Sequence, residues 1–230
     1  MRPNMVVSAG PFAAEARLLN KSARTRAKLM DAAAEVFAQD GFEAASVNEI
    51  TRRADVANGT FYVHFKDKES IAAEVAARIG GDITGQIDQA MIDIDDGVER
   101  ISFATRQFIQ FGTHQPLWGW VLIRSGSYLP AMRRQMETHL YADLERCRLQ
   151  ERISVTVDAF LVDAIMAVVF SALSARLRGD ADEDAGSRAS ELVLNMIDVP
   201  QPLAHEVAWK AVELKELVLT VRSKGDRLTR

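Results

Sequence analysis

The chain has 230 residues, of which 48% are hydrophobic and 26% charged, a mixture that fits one or two globular domains and argues against a mainly disordered, collagen-like or disulfide-stapled chain. Its net charge of −4 and pI near 5.6 weigh, as whole-chain averages, against nucleic-acid binding, for which a domain pI above about 9 is common. The single cysteine, Cys147, allows neither an internal disulfide nor a thiolate metal cluster and fits a reducing compartment.

Residues 1–20 hold Pro3, Gly10 and Pro11 without a sustained period and are expected to form a flexible N-terminal arm. Ser8, Gly10 and Pro11 interrupt the apolar residues too soon for a signal peptide. The most apolar stretch, 157–173, carries Asp158 and Asp163 and is short of the ~20 residues that cross a bilayer. A soluble, cytoplasmic chain is expected.

Beyond the arm almost everything repeats at a helical period, and no segment alternates as a strand would. Leu29, Ala33, Val36 and Phe37 mark a helix over Arg24–Asp40, which ends at Gly41 with Phe37 and Phe42 placed to touch across the terminus. Ser46-Val-Asn-Glu49 is a capping box opening a second helix with Val47, Ile50 and Ala54 inward. A turn through Asp55-Val-Ala57 leads to a short helix over Asn58–Phe65. Asp67 is the expected N-cap of a connecting helix, 69–91, whose stripe runs Ile71, Val75, Ile79, Ile83, Ile87 and Met91. Further helices are predicted at Gly97–His114, Leu117–Ser125, Tyr128–Glu151, Val155–Arg178, Ala185–Ile197 and, as an extra C-terminal element, Leu203–Arg222. The fold class is all-α: an N-terminal three-helix unit over 21–68, then a larger helical domain over 69–230.

Three short helices with a three-residue turn between the last two describe a helix-turn-helix, whose second helix enters a DNA major groove. With Val56, Phe61 and Phe65 turned to the core, Asn58, Gly59, Thr60, Tyr62, Val63 and His64 are left to face DNA. Gly59 lets the backbone approach closely. Thr60 and Tyr62 offer hydroxyls to phosphate, Asn58 an amide to a base edge, and Val63 a methyl contact to thymine.

The run Asp55-Val-Ala-Asn-Gly-Thr-Phe-Tyr-Val-His-Phe-Lys-Asp-Lys-Glu69, preceded by Asp31-Ala-Ala-Ala-Glu-Val-Phe-Ala-Gln-Asp-Gly-Phe42 and Ser46-Val-Asn-Glu-Ile-Thr51, resembles the N-terminal domain of the tetracycline-repressor (TetR) family. The resemblance covers about Thr25 to Ile71. It implies a homodimeric repressor whose C-terminal domain binds a small molecule and releases DNA. It also implies that Ser46, Thr60, Tyr62, His64 and Lys68 contact the DNA backbone, with Asn58 and Val63 setting sequence preference; Arg26 is added to this set. The family usually has Gly-Val-Ser before the recognition helix, where this chain has Asp55-Val-Ala57. Asp tolerates left-handed backbone, whereas Ala57 cannot cap, a loss of about 1 kcal/mol unless Asn58 takes over.

In the C-terminal half, Val155–Arg178 is apolar nearly all round and must be buried on several sides. Phe160, Leu161, Ile165, Val168 and Val169, with Leu192, Val193 and Met196 of the next helix, are expected to pair with their copies in a four-helix dimer interface. The alternative is a large monomer core. The middle segment is richest in cavity-forming side chains: Phe103, Phe111, Trp118, Trp120, Tyr128, Met132 and Met136, near His114, Arg124 and His139. With Met166 and Phe170 they are candidates for lining an apolar effector site, in which Arg124 would suit an anion if buried. Asp180-Ala-Asp-Glu-Asp184 partly mimics an EF-hand, but Ala185 stands where the turn glycine belongs, so no metal is assigned. No cofactor is expected. No nucleophile–base set or paired carboxylates stand at a telling spacing, which disfavours an enzyme with a docking helix-turn-helix; a regulator controlled by a protein partner is the other alternative.

The average charge conceals an asymmetry. Residues 1–68 hold ten Lys and Arg against eight Asp and Glu, a net of +2, and the other 162 residues carry −6.

Overall fold

A computed structural model describes residues 11–15, 20–125 and 130–217, with the side chains of 15, 125, 130–132 and 135 left aside. Among these residues every regular element is helical: α1 Pro11–Glu15, α2 Lys21–Ala44, α3 Val47–Ala54, α4 Asn58–His64, α5 Lys68–Ala90, α6 Gly97–His114, α7 Pro116–Ser125, α8 Pro130–Leu149, α9 Ala159–Arg178, α10 Ala185–Met196 and α11 Gln201–Trp209.

Local chemistry sets most of the boundaries. Ser46 Oγ accepts the Glu49 amide at 3.2 Å to start α3. Asp67 and Ser70 cap each other's amides at 2.7 and 3.2 Å to start α5. Asp96 takes the Val98 and Glu99 amides at α6, and Asp158 the Leu161 amide at α9. Gly41 interrupts α2 with φ 78°, a conformation that Cβ-bearing residues rarely adopt, and the Phe37 and Phe42 rings pack across it at 5.9 Å.

Leu29, Ala33, Val36 and Phe37 of α2 close on Ile50, Phe61, Phe65, Ile71 and Val75, each at most 4% exposed. This small core fixes α3 and α4 on the front of α2. The body is a helical layer in which α6 lies at the centre, touching α8, α9, α10 and α11. The head joins the body through α2 against α7, the most extensive interhelical contact in the molecule. Against α6, α7 crosses so closely at Gly119 and Gly112 that a methyl on Gly119 would strike the Gly112 carbonyl.

Two segments depart from expectation. Within the expected arm, Pro11–Glu15 is helical and docked: Phe12 is 4% exposed, meets Trp118 edge-on at 5.9 Å, and the Asp31 carboxylate accepts the Phe12 and Ala13 amides at 3.1 and 2.8 Å. The expected C-terminal helix over 203–222 ends at Trp209, and residues 211–217 run extended. Side chains of α6 and the α6–α7 junction satisfy that backbone. Gln107 exchanges two hydrogen bonds with the Lys215 main chain, at 2.8 and 2.9 Å, while Gln115 and Arg106 donate to the Leu217 and Lys210 carbonyls. Val212 and Leu214 turn inward between exposed Ala211, Glu213 and Lys215, the alternation of an extended chain.

Candidate functional site

The turn between α3 and α4 is built on Asp55, which sits in the left-handed region at φ 54°, ψ 53°. Its amide and that of Val56 close on the Arg52 and Thr51 carbonyls. Phe61 and Phe65 anchor the inner side of α4, and the same helix presents Tyr62, 61% exposed, and Val63, 77% exposed. Exposed Gly59 has nothing within 4 Å of where a Cβ would stand. Ser46 is exposed, and while its oxygen caps α3 its hydroxyl hydrogen is left for another acceptor. Thr60 and His64 are half-buried. Burial, and then the nearby Arg26 charge, push His64 below the usual histidine range, so at neutral pH it faces outward as an uncharged imidazole.

Three residues expected to reach DNA have partners within the protein. Lys68 Nζ donates to the Phe42, Glu43 and Ala45 carbonyls at 2.8, 3.3 and 3.1 Å and lies 4.5 Å from the Phe42 ring centre. It closes the end of α2. Arg26 makes a two-bond ion pair with Glu74 and stacks on Phe65 at 4.7 Å, tying α2 to α5. Asn58 does not cap its own helix: its amide donates to Asn48 Oδ1 at 2.5 Å and accepts from the Thr51 hydroxyl, locking α4 to α3. Conversely, exposed Arg52 precedes the turn and exposed Lys66 follows α4, and neither is a sequence candidate. Arg52 and Arg53 both bond Glu49 and hold its carboxyl down to about 2. Such pairings depend on sequence neighbours three and four apart, a signal present in Glu49-Ile-Thr-Arg-Arg53.

A cavity of about 90 Å³ lies among α5, α6, α8 and α9. Its walls are apolar, with Ile101, Ala104, Phe108, Met136, Met166 and Val169, and its polar groups gather on Thr84, Asp88, Thr105, His139 and Asp143. His139 Nδ1 meets Asp88 Oδ2 at 2.7 Å. Asp143, 5% exposed, accepts Arg100 Nε at 2.5 Å. Burial raises the Asp143 carboxyl above its ordinary range, against the pull of Arg100.

Of the sequence candidates for this cavity, Met136, His139 and Met166 line it. Phe170 stands behind Phe108, edge-on at 5.7 Å. Phe103 and Phe111 are core residues, and Trp118 packs on Phe12. His114 belongs to a second, more polar hollow of about 410 Å³ beneath Val212 and Leu214. Arg124 is corrected most plainly. Its guanidinium stacks on Trp120 at 4.5 Å and donates to the Ala38 and Gln39 carbonyls of α2, so it joins body to head and does not enter the cavity. Tyr128 lies outside the described residues, as does the Met132 side chain. Among the polar lining residues, Thr84, Asp88, Thr105 and Asp143 are ones that sequence reasoning missed.

On the far side, Phe160 is 80% and Leu192 57% exposed. Leu161, Val168 and Met196 are half-buried. Ile165, Val169 and Val193, expected at an interface between copies, are buried within this chain's own core at 1, 6 and 0% exposure. The α9 helix is long and apolar enough to cross a membrane, and its inner stripe of Val162, Ile165, Val169 and Leu173 belongs to the helical core.

Comparison with known proteins agrees with this architecture. The model of bacterial regulatory proteins of the tetR family matches residues 29–75, and that of the tetracyclin repressor-like C-terminal domain matches residues 96–210. The A-factor receptor protein of Streptomyces griseus is 36% identical over 90 residues, 37% of this chain and 32% of that protein. The transcriptional activator FasR of Mycolicibacterium smegmatis is 32% identical over 104 residues, 45% of this chain and 47% of that protein. The matched region thus spans 32% and 47% of these two relatives. Among solved structures, RolR in complex with resorcinol superposes with a TM-score of 0.68 at 24% identity, over 86% of this chain and 98% of that one. FadR from Bacillus subtilis in complex with stearoyl-CoA gives 0.62 at 17%, over 74% and 96%. These two likenesses establish the shared fold. With both of its halves matched by the family's models, the chain belongs to the TetR family of bacterial regulatory proteins.

Proposed function

We propose that this chain is a homodimeric, cytoplasmic DNA-binding transcriptional regulator, in its simplest form a repressor that leaves its operator when a small molecule enters the α5–α9 cavity. The observation that carries the reading is α4: two core phenylalanines clamp one side of it while Tyr62 and Val63 stand fully presented on the other. Residues 21–68 are the reading head, with Ser46, Gly59, Thr60, Tyr62, Val63 and His64 as its DNA face. Tyr62, Thr60 and Ser46 address phosphates, and Val63 addresses a base. Two heads reading successive major grooves require a two-fold dimer, and the exposed Phe160 and Leu192 supply the apolar face for it.

Release follows from connectivity. The cavity is walled by α6, α6 runs into α7, and α7 holds α2 through Arg124. A ligand that favours a different α6 position also favours a different spacing of the two heads. DNA and effector then weaken each other reciprocally, typically by about 1–3 kcal/mol. The relatives fit this scheme from both directions, since FasR is an activator and the A-factor protein a receptor.

The test is a gel shift with DNA from upstream of the chain's own gene. A palindromic fragment should be retarded by a protein dimer, and Val63→Ala should change which half-site variants compete. Absence of any sequence preference at low salt would reject the reading.

A further inference from the structure

We infer that the effector is a small, neutral, hydroxylated ring compound, a hydrogen-bond donor of the phenol class, and that carboxylates and acyl chains are excluded. This rests on the cavity being the effector site. Size is the first observation. About 90 Å³ is below the roughly 150 Å³ in which a benzene ring is accommodated and far below the roughly 300–1,000 Å³ of drug-sized sites. A single ring is admitted once Met136 and Met166, whose unbranched side chains adapt readily, give way slightly. A long acyl chain needs a far larger displacement of the walls.

The polar end supplies the second observation. The titratable side chains that line the cavity are Asp88, Asp143 and His139. Arg100, the nearest guanidinium, lies behind them and is consumed: it bonds Asp143 at 2.5 Å and the Met91 carbonyl at 3.0 Å, and stands 3.8 Å from Asp88. His139 is turned onto Asp88. Oδ1 of the buried Asp143 is taken by Arg100, and the same carboxylate lines the cavity. The cavity therefore offers carboxylate lone pairs whose charge is already balanced by Arg100. A hydroxyl donates to such a group, whereas a carboxylate ligand meets two like charges with no free cation to answer it. Arg124, which would favour an anion if it entered the cavity, is held instead by the α2 contact.

Calorimetry on the full-length dimer with toluene, phenol, the three dihydroxybenzenes, benzoate and octanoate decides the matter. The best dihydroxybenzene should bind about tenfold or more tightly than toluene, because a site built to accept a hydroxyl proton rejects the analogue without one. Benzoate and octanoate should bind more weakly than phenol. In Asp143→Asn the preference for the dihydroxybenzene over toluene should fall at least about fivefold. Benzoate or octanoate binding as tightly as phenol, a preference that survives Asp143→Asn, or no binding by any hydroxylated ring would each overturn the inference. The wild-type ranking stands alone if that variant does not fold. A chain that retains operator binding and ranks benzoate first refutes only the ligand class; a chain with no sequence preference for DNA refutes the regulator reading.

Discussion

Lys68 and Tyr62 occupy neighbouring stretches of one motif and have opposite surroundings, Lys68 bonded within the protein and Tyr62 exposed. Lys68 donates to three carbonyls at the end of α2, so Lys68→Ala should cost about 2 kcal/mol of stability, the worth of hydrogen bonds from a charged donor. Tyr62→Ala should leave the melting temperature within about a degree and weaken operator binding about tenfold, since Tyr62 is 61% exposed. Thermal melts and gel shifts on the same two variants separate the roles; a Lys68→Ala protein with unchanged stability and lost DNA binding would reverse the assignment. Asp31 gives a pH signature. Burial raises its carboxyl from 3.8 to about 6, against the two amides it accepts. The folded chain thus binds this proton more tightly than the unfolded one, so the contribution is fully present below about 3.8 and is lost as pH rises to about 6. Its size is on the order of 3 kcal/mol. Asp31→Asn should flatten the denaturation midpoint over that window, and an unaltered pH profile would show the carboxyl to be solvated.

Helices declared themselves through short-range chemistry, and so the head was legible. Ser46, Asp67 and the left-handed Asp55 act within three or four residues of themselves, and the stripe Leu29, Ala33, Val36, Phe37 needs no distant partner to be recognised. What escaped reading depends on partners far along the chain. Arg124 meets carbonyls 85 and 86 residues away, and Gln107 meets a backbone 108 residues away. Asp31 and Gln107 did carry a signal, a polar residue interrupting an apolar face, and so did the short alternation Ala211-Val-Glu-Leu-Lys215 inside a segment expected to be helical. At this scale the α2–α7 joint makes the sharpest prediction. Arg124→Met keeps much of the stem that packs on Trp120 but removes the donors to Ala38 and Gln39. Operator affinity and effector affinity measured separately should change less than about threefold, while the factor by which effector weakens DNA binding should shrink by about tenfold. A coupling factor equal to wild type would place the route elsewhere.

For the whole molecule, the apolar exterior of α9 and α10 and the division of charge belong together. A single chain of 25.4 kDa that exposes Phe160 at 80% and Leu192 at 57% has an unfinished surface. Light scattering should give a particle of twice that mass, and Phe160→Arg should shift it toward the monomer and weaken operator binding, because a charge buried at a two-fold contact is repeated on both sides. A wild-type monomer at micromolar concentration would discard the dimer. With only +2 on residues 1–68, a lone head has little bulk attraction for DNA, so the pairing of two heads matters more here than in a strongly basic protein. The segment 210–217 has a different kind of consequence, one for how the chain can diverge. It is gripped through its main chain by Gln107, Gln115 and Arg106, and amide groups that read a backbone are blind to the side chains it carries. Most substitutions at the exposed positions 211, 213 and 215 are therefore neutral to its path. Proline at 215 is the exception, since the Lys215 N–H is itself one of the bonds. The segment 210–217 is free in its spelling and constrained in its route.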